Sequence, residues 1–299
     1  MQFGKYEGEW CMHKILLSIK KNLAVHAKPV IITVFLGVIS SIIATQIINS
    51  SQKSYQIGEI ILLGSYEQDN NLDNGKEKIE WIVLDENNGT YLLMSRYILD
   101  AHAYNDIDTP VSWETCTLRA WLNDNFLREA FSEKDQKKLL SVMNENPDNP
   151  EYSTEGGNAT QDKVFLLSLQ EAGKYLSLEN GFAFSTEYGV SRGAFTIDNY
   201  KEIPEDDPFI MDNVIKIYSM TYPIENGEAE SSKDTLYYIM TKNCMYYLRS
   251  PGSKQNQAAQ IYNYHYAGLF SDVSSLLDTT GAIVDFDQVG IRPVVWYKP

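Results

Sequence analysis

The sequence predicts an α+β domain of small antiparallel sheets with two helices, preceded by one transmembrane helix. No charged residue occurs from Pro29 to Gln52, and nothing else in the 299-residue chain is comparably apolar. Beyond that gap, short apolar runs alternate with turns carrying Asn, Gly and Pro, the pattern of strands joined by hairpins. Between Thr117 and Phe131 the apolar spacing changes to the helical period.

Val30–Ile48 (VIITVFLGVISSIIATQII) is mostly β-branched and aliphatic. Its length at about 1.5 Å per residue reaches about 28 Å, close to the hydrocarbon thickness of a bilayer. Residues 29–49 therefore read as a signal-anchor helix. A cleaved signal peptide would have a shorter apolar core and an Ala-x-Ala-like site, which neither Ala44-Thr45-Gln46 nor Asn49-Ser50-Ser51 supplies. Lys14, Lys20, Lys21 and Lys28 precede the span, and Lys53 alone follows closely. The basic flank stays inside, so residues 1–28 are expected to be a cytoplasmic basic segment. Ile15, Ile19 and Leu23 recur there among lysines, which fits either a short amphipathic helix on the inner leaflet or a bare topology signal. Residues 50–54 are then a tether and residues 55–299 the extracellular domain.

Within that domain, IGEIILLGSY, IEWIVLD and YLLMSRY read as three strands of a meander, the last two joined by a hairpin turn on Asn88-Gly89. Asp69, Asn71 and Asp73 between the first two have the oxygen spacing of a calcium loop, with Glu80 at its twelfth position. Asn74 stands where that loop needs glycine and no flanking helices are predicted, so the stretch reads as a hairpin loop and no metal is assigned. In TLRAWLNDNFLREAF, Leu118, Trp121, Leu122, Phe126 and Ala130 share one face, which makes Trp121 a structural residue. Ser132 and Asp135 resemble a cap opening a second helix through EKDQKKLLSVM. KVFLLSL reads as a strand and LQEAGKYL as a helical turn or two. An acidic, proline-bearing insertion follows near 198–234, and CMYYLRS, AAQIYNYHYAG and GIRPVVWY are strand-like.

The formal net charge is −15, and −18 without residues 1–28. A domain that acidic repels phosphate, which argues against nucleic acid and anionic head groups as partners for it. No zinc spacing, nucleophile elbow or phosphate-cradling loop occurs, so no catalytic residue and no cofactor is assigned. The 20 tyrosines are more informative, because each ring carries a hydroxyl that must find a partner. In IYNYHYAG, strand alternation sends Tyr262, Tyr264 and Tyr266 to one face and Asn263 and His265 to the other. With Tyr246 and Tyr247 they make a candidate ligand-binding surface, since rigid amphipathic rings among polar residues suit recognition. The alternative is that the tyrosines pack inward. Arg249 and Arg292 stand beside or near prolines and are read as structural, their forks tying turn carbonyls together.

Four stretches occur in order: WETCTLRAWLN (113–123), TQDKVFLLS (160–168), CMYYLRSPG (244–252) and VGIRPVVW (289–296). Together they resemble a bacterial domain family of unknown function, found on surface-anchored and phage-related proteins, over roughly residues 55–299. Tyr246 and Tyr247 depart from the tryptophans more usual before Leu-Arg-Ser-Pro-Gly, and the 198–234 insertion is longer than the family implies. The family is similar to the C-type-lectin-like group, near formylglycine-generating enzymes. That resemblance implies two small antiparallel sheets, two helices, paired first and last strands, a structural Trp296 in the final motif, and an extracellular recognition module rather than a reaction. Copper chemistry of the formylglycine type would need two nearby thiols, and the domain has only Cys116 and Cys244. They are either a disulfide, which the compartment permits, or two buried small hydrophobes.

The expected function is thus membrane-anchored recognition of an extracellular protein or glycan. One alternative is an envelope-acting enzyme using Asp285 and Asp287, which strand alternation would place on one face. Another is a sensor ectodomain signalling through a partner. The anchor is directly testable: the full-length chain should stay with the membrane pellet after alkaline carbonate extraction, whereas a chain beginning at Tyr55 should not.

Overall fold

The computed structural model describes residues 53–194, 245–262 and 276–299. The chain divides into two units, Met1–Ser54 and Tyr55–Pro299, and the fold given below is that of the second. Among the described residues no helix is long and apolar enough to cross a membrane. The expected span at 29–49 and the insertion near 198–234 lie outside them.

β1 (Ile60–Tyr66), β2 (Glu77–Asn87) and β3 (Thr90–Ser95) form the expected antiparallel meander. Asn88 and Gly89 turn the second hairpin at φ 52° and 76°, a left-handed pair that Asn-Gly adopts more cheaply than other residues. The chain then crosses to β4 (Asp100–Ala101) of a second sheet. α1 (Thr117–Trp121) runs through a π-helical turn (Leu122–Phe126) into α2 (Leu127–Ala130). Leu118, Leu122, Phe126 and Ala130 are buried, and Trp121 is half-buried against the core.

The second predicted helix is corrected to one turn, α3 (Glu133–Gln136), which Ser132 caps. Its continuation is drawn away by the C-terminal strand. Leu140 N–H donates to Trp296 O and Lys298 N–H to Lys138 O, each at 2.9 Å or less. β5 (Val142–Asn144) then pairs with β6 (Thr160–Asp162), and β7 (Val164–Phe165) follows. α4 (Leu169–Tyr175) starts at a Ser168/Glu171 capping box, which satisfies two amides at its N-terminus. α5 (Leu178–Gly181) and α6 (Glu187–Ser191) come next. β8 (Tyr246–Pro251), β9 (Gln257–Ile261), β10 (Leu277–Ile283), β11 (Gly290–Ile291) and β12 (Val294–Tyr297) complete the described chain.

The strands form two five-stranded sheets, ordered β1-β2-β3-β12-β7 and β10-β9-β8-β11-β4, plus the β5-β6 pair. The ladders are antiparallel except β8 with β11. The architecture is therefore mixed and strand-rich, with small, mostly antiparallel sheets and few helices. First and last strands do not pair, contrary to expectation: β12 lies against β3, with Val294 opposite Met94 and Tyr297 opposite Tyr91. The hairpin with β2 uses one edge of β3, and its buried Leu93 and Met94 leave the other edge as the place where Val294 and Val295 escape water.

The β1–β2 ladder shifts register between Leu62 and Ser65. Gly64 there has φ 69°, and a Cβ on it would stand 2.4 Å from Ala130 O at the end of α2. Gly64→Ala should cost about 2–3 kcal/mol through strain and displacement of that helix end, measured by urea denaturation.

Candidate functional site

Tyr246 and Tyr247 do not belong to an exposed face. They are 2% and 1% exposed, because β8 lies inside its sheet with all six of its residues buried. The hydroxyls that suggested a surface find carbonyls in the interior instead. Tyr246 donates to Gly181 O at 2.7 Å, and Tyr247 lies within reach of Ile283 O at 3.1 Å and Phe286 O at 3.0 Å. Burial raises both phenol pKa values, opposed at Tyr246 by the Arg292 guanidinium. Tyr262 is half-buried at the end of β9, its N–H donating to Leu276 O. Asn263, Tyr264, His265 and Tyr266 lie outside the described residues.

The two arginines near prolines are interior ties. Arg249 is 3% exposed. Its guanidinium donates to Leu166 O at 2.7 Å, Glu145 O at 3.0 Å and Asn146 Oδ1 at 3.2 Å, and it pairs with Glu171. One side chain thereby joins β8, the chain after β5, the chain after β7, and α4. Arg292 donates to Ser95 O, Asn180 O, Arg96 O and the Tyr246 hydroxyl. Trp296 is half-buried against the core.

A third knot forms around Asp162, whose residue is 1% exposed. It accepts from Arg119 Nε at 2.6 Å, Thr160 Oγ1 at 2.8 Å, and Trp113 Nε1 and Asn144 Nδ2 at 3.1 Å. Cys116 caps α1, its sulfur accepting from Arg119 N–H, and it is a free thiol. Desolvation pushes that thiol up to about 12, which leaves it protonated and inert at neutral pH. Cys244, the other half of the expected pair, lies outside the described residues.

The paired-carboxylate reading is corrected as well. β10 ends at Ile283, so Asp285 and Asp287 sit in an exposed turn where strand alternation does not apply. His102 stacks on Trp121 with ring centroids 4.1 Å apart, and burial lowers its pKa against the opposing pull of Asp100. Sequence reasoning missed one group altogether. Glu67, Asp69 and Glu77 bring three carboxylates together at the mouth of the β1–β2 hairpin. The signal was available in the acidic spacing around Asp69, but Glu67 precedes the twelve-residue stretch Asp69–Glu80, and Glu77 at its ninth position meets the other two only because β1 and β2 pair there.

Residues 88–299 match a domain of unknown function, DUF6273. The chain belongs to this family. No curated protein and no solved structure matches it. The DUF6273 stretch begins at Asn88 in the β2–β3 turn, so β1 and β2 precede it while completing its first sheet. All four sequence motifs fall inside that stretch, and each supplies the buried framework. Trp113, Arg119 and Asn123 of the first meet Asp162 of the second, to which Thr160 of the same motif also donates. Arg249 and Arg292 of the third and fourth are the two interior ties. In this chain the motif residues named serve the buried framework of the DUF6273 domain.

Because Tyr247 is buried, Tyr247→Ala should cost about 3–5 kcal/mol in chemical denaturation. Tyr247→Phe, which loses only the hydroxyl contacts, should cost about 1 kcal/mol.

Proposed function

We propose that the chain displays one C-type-lectin-like domain outside the cell from a single membrane anchor, and that the domain recognises a protein or glycan noncovalently. Two small sheets and few helices support the lectin-like reading, though the pairing of the terminal strands departs from it. The observation that carries the recognition reading is the register of the second sheet. Ile261 pairs with Tyr246 on one side and with Leu277 on the other. Met245, Tyr262 and Leu276 therefore share one end of that sheet. The segment 195–244 returns there, and the segment 263–275 both leaves and returns there. Tyr264, His265 and Tyr266 belong to the second of these segments.

Residues that join the strands of a rigid framework are frequent carriers of recognition. The buried polar clusters around Asp162, Arg249 and Arg292 are internally saturated, as a scaffold requires. In a capture experiment, the soluble chain 55–299 should retain a partner from envelope fractions or secreted proteins. Tyr264→Ala combined with Tyr266→Ala should weaken capture about thirtyfold or more while leaving thermal unfolding nearly unchanged. Undiminished capture by the double variant would move the binding surface elsewhere.

A further inference from the structure

Tyr66 ends β1 and pairs directly with Glu77, which opens β2. The chain between them gathers three carboxylates. Glu67, Asp69 and Glu77 each offer an oxygen lying within 4.8 Å of the other two. None of the ion pairs among the described residues involves them. Lys76, their neighbour in sequence, directs its ammonium to Glu129 O at 3.0 Å and to the Tyr66 ring. Amides meet part of the demand: Gln68 N–H and Asp69 N–H donate to Glu77 Oε2 at 2.7 and 3.4 Å, and Asn71 N–H and the Asn74 side chain donate to Asp69 at 2.9 and 2.7 Å.

Glu67 is different. It is 6% exposed, and its Oε1 is buried with no hydrogen-bond partner. A carboxylate oxygen withdrawn from water without a donor is costly, and the other two side chains of the cluster are themselves acceptors. A cation supplies what that oxygen lacks.

We propose that Glu67, Asp69 and Glu77 bind a calcium ion at the mouth of the β1–β2 hairpin. The donors are hard oxygens with no imidazole or thiolate among them, a set that suits calcium and not zinc. Three oxygens no more than 4.8 Å apart lie within about 2.8 Å of a common point, so side-chain shifts of a few tenths of an ångström bring all three to the calcium–oxygen distance of about 2.4 Å. Asp69 is exposed and Glu77 half-buried, which leaves room for water to complete the coordination. This is not the loop register suggested by Asp69, Asn71 and Asp73. Glu80, at the twelfth position, is instead paired with Arg96 at 2.6 Å, and Asn71 Oδ1 accepts from Asp73 N–H. The same loop touches α6, where Tyr188 N–H donates to Gln68 O and Ser191 Oγ to Asn70 Oδ1. A bound ion would stiffen that contact just before the chain enters the 195–244 segment.

Calcium titrated into the metal-stripped full-length chain should bind by calorimetry at one site, with a Kd in the range of about 10⁻⁴–10⁻³ M typical of extracellular modules. It should also raise the unfolding temperature when sodium chloride of equal ionic strength does not. Glu67→Gln and Asp69→Asn should each weaken binding about tenfold or more, since affinity follows the ligand charge count. Asp69 is exposed, so its variant retains the fold whatever happens at Glu67. No binding heat and no thermal shift at ~10 mM calcium, well above the expected range, overturns the proposal. Unchanged affinity in both variants overturns it too, as does a calcium-free Glu67→Gln chain that unfolds earlier than the parent, which would make Glu67 a structural carboxylate. The readout is the ion itself, so it stands apart from any test of partner capture.

Discussion

One buried guanidinium, that of Arg292, sits where the chain crosses between the two sheets. The chain passes from the first sheet to the second after β3 and comes back between β11 and β12, and these passages run side by side. Ser95 N–H donates to Pro293 O at 2.9 Å and Leu99 N–H to Ile291 O at 3.0 Å. Arg292 sits at this double crossing, donating to Ser95 O at 2.8 Å and to Arg96 O at 3.3 Å. A charge that is 2% exposed and cannot be neutralised must be fully matched by acceptors, so the surrounding backbone is bound to one arrangement. Tyr246 and α5 are drawn into the same arrangement through the hydroxyl and the Asn180 and Gly181 carbonyls.

The other buried polar clusters repeat this logic farther from the crossing. Asp162 gathers α1, β5 and β6, while Arg249 gathers β8 and α4. Asn149 performs a related task, donating to Pro251 O at 2.9 Å and Thr279 O at 2.8 Å and so holding its loop against β8 and β10. Networks of this kind specify one packing because any shift leaves a group unpaired in a low-dielectric interior. They explain why the motif residues that stand out in the sequence lie inside the domain. Chemistry-bearing residue types were put to structural use.

What lies at the edges is of another character. The end of the second sheet marked by Tyr262 and Leu276, and the hairpin mouth marked by Glu67 and Glu77, are places where the framework stops saturating its own groups or hands the chain to longer segments. The first supports the recognition reading and the second the calcium proposal. They rest on separate observations: strand register in one case, and an oxygen without a donor in the other.

The meander, the Asn88-Gly89 turn and the helix from Thr117 to Ala130 were legible because local spacing and turn chemistry decide them within a few residues. Arg249 and Arg292 do tie carbonyls, but not those of neighbouring turns: their acceptors, such as Leu166 O and Ser95 O, lie far away in sequence. Other features depended on partners far away in sequence. Nothing near Lys137–Met143 reveals that β12, more than 150 residues on, will compete for its backbone and end the helix. Nothing in Tyr-Tyr states whether a hydroxyl meets water or a carbonyl, and the packing of β8 between β9 and β11 decided that. Sequence alone determined the β1–β3 meander and the helix from Thr117 to Ala130, because period and turn propensity act locally. Only the tertiary structure decided which tyrosines are buried and which carboxylates meet, because burial and convergence depend on chains brought together from distant positions.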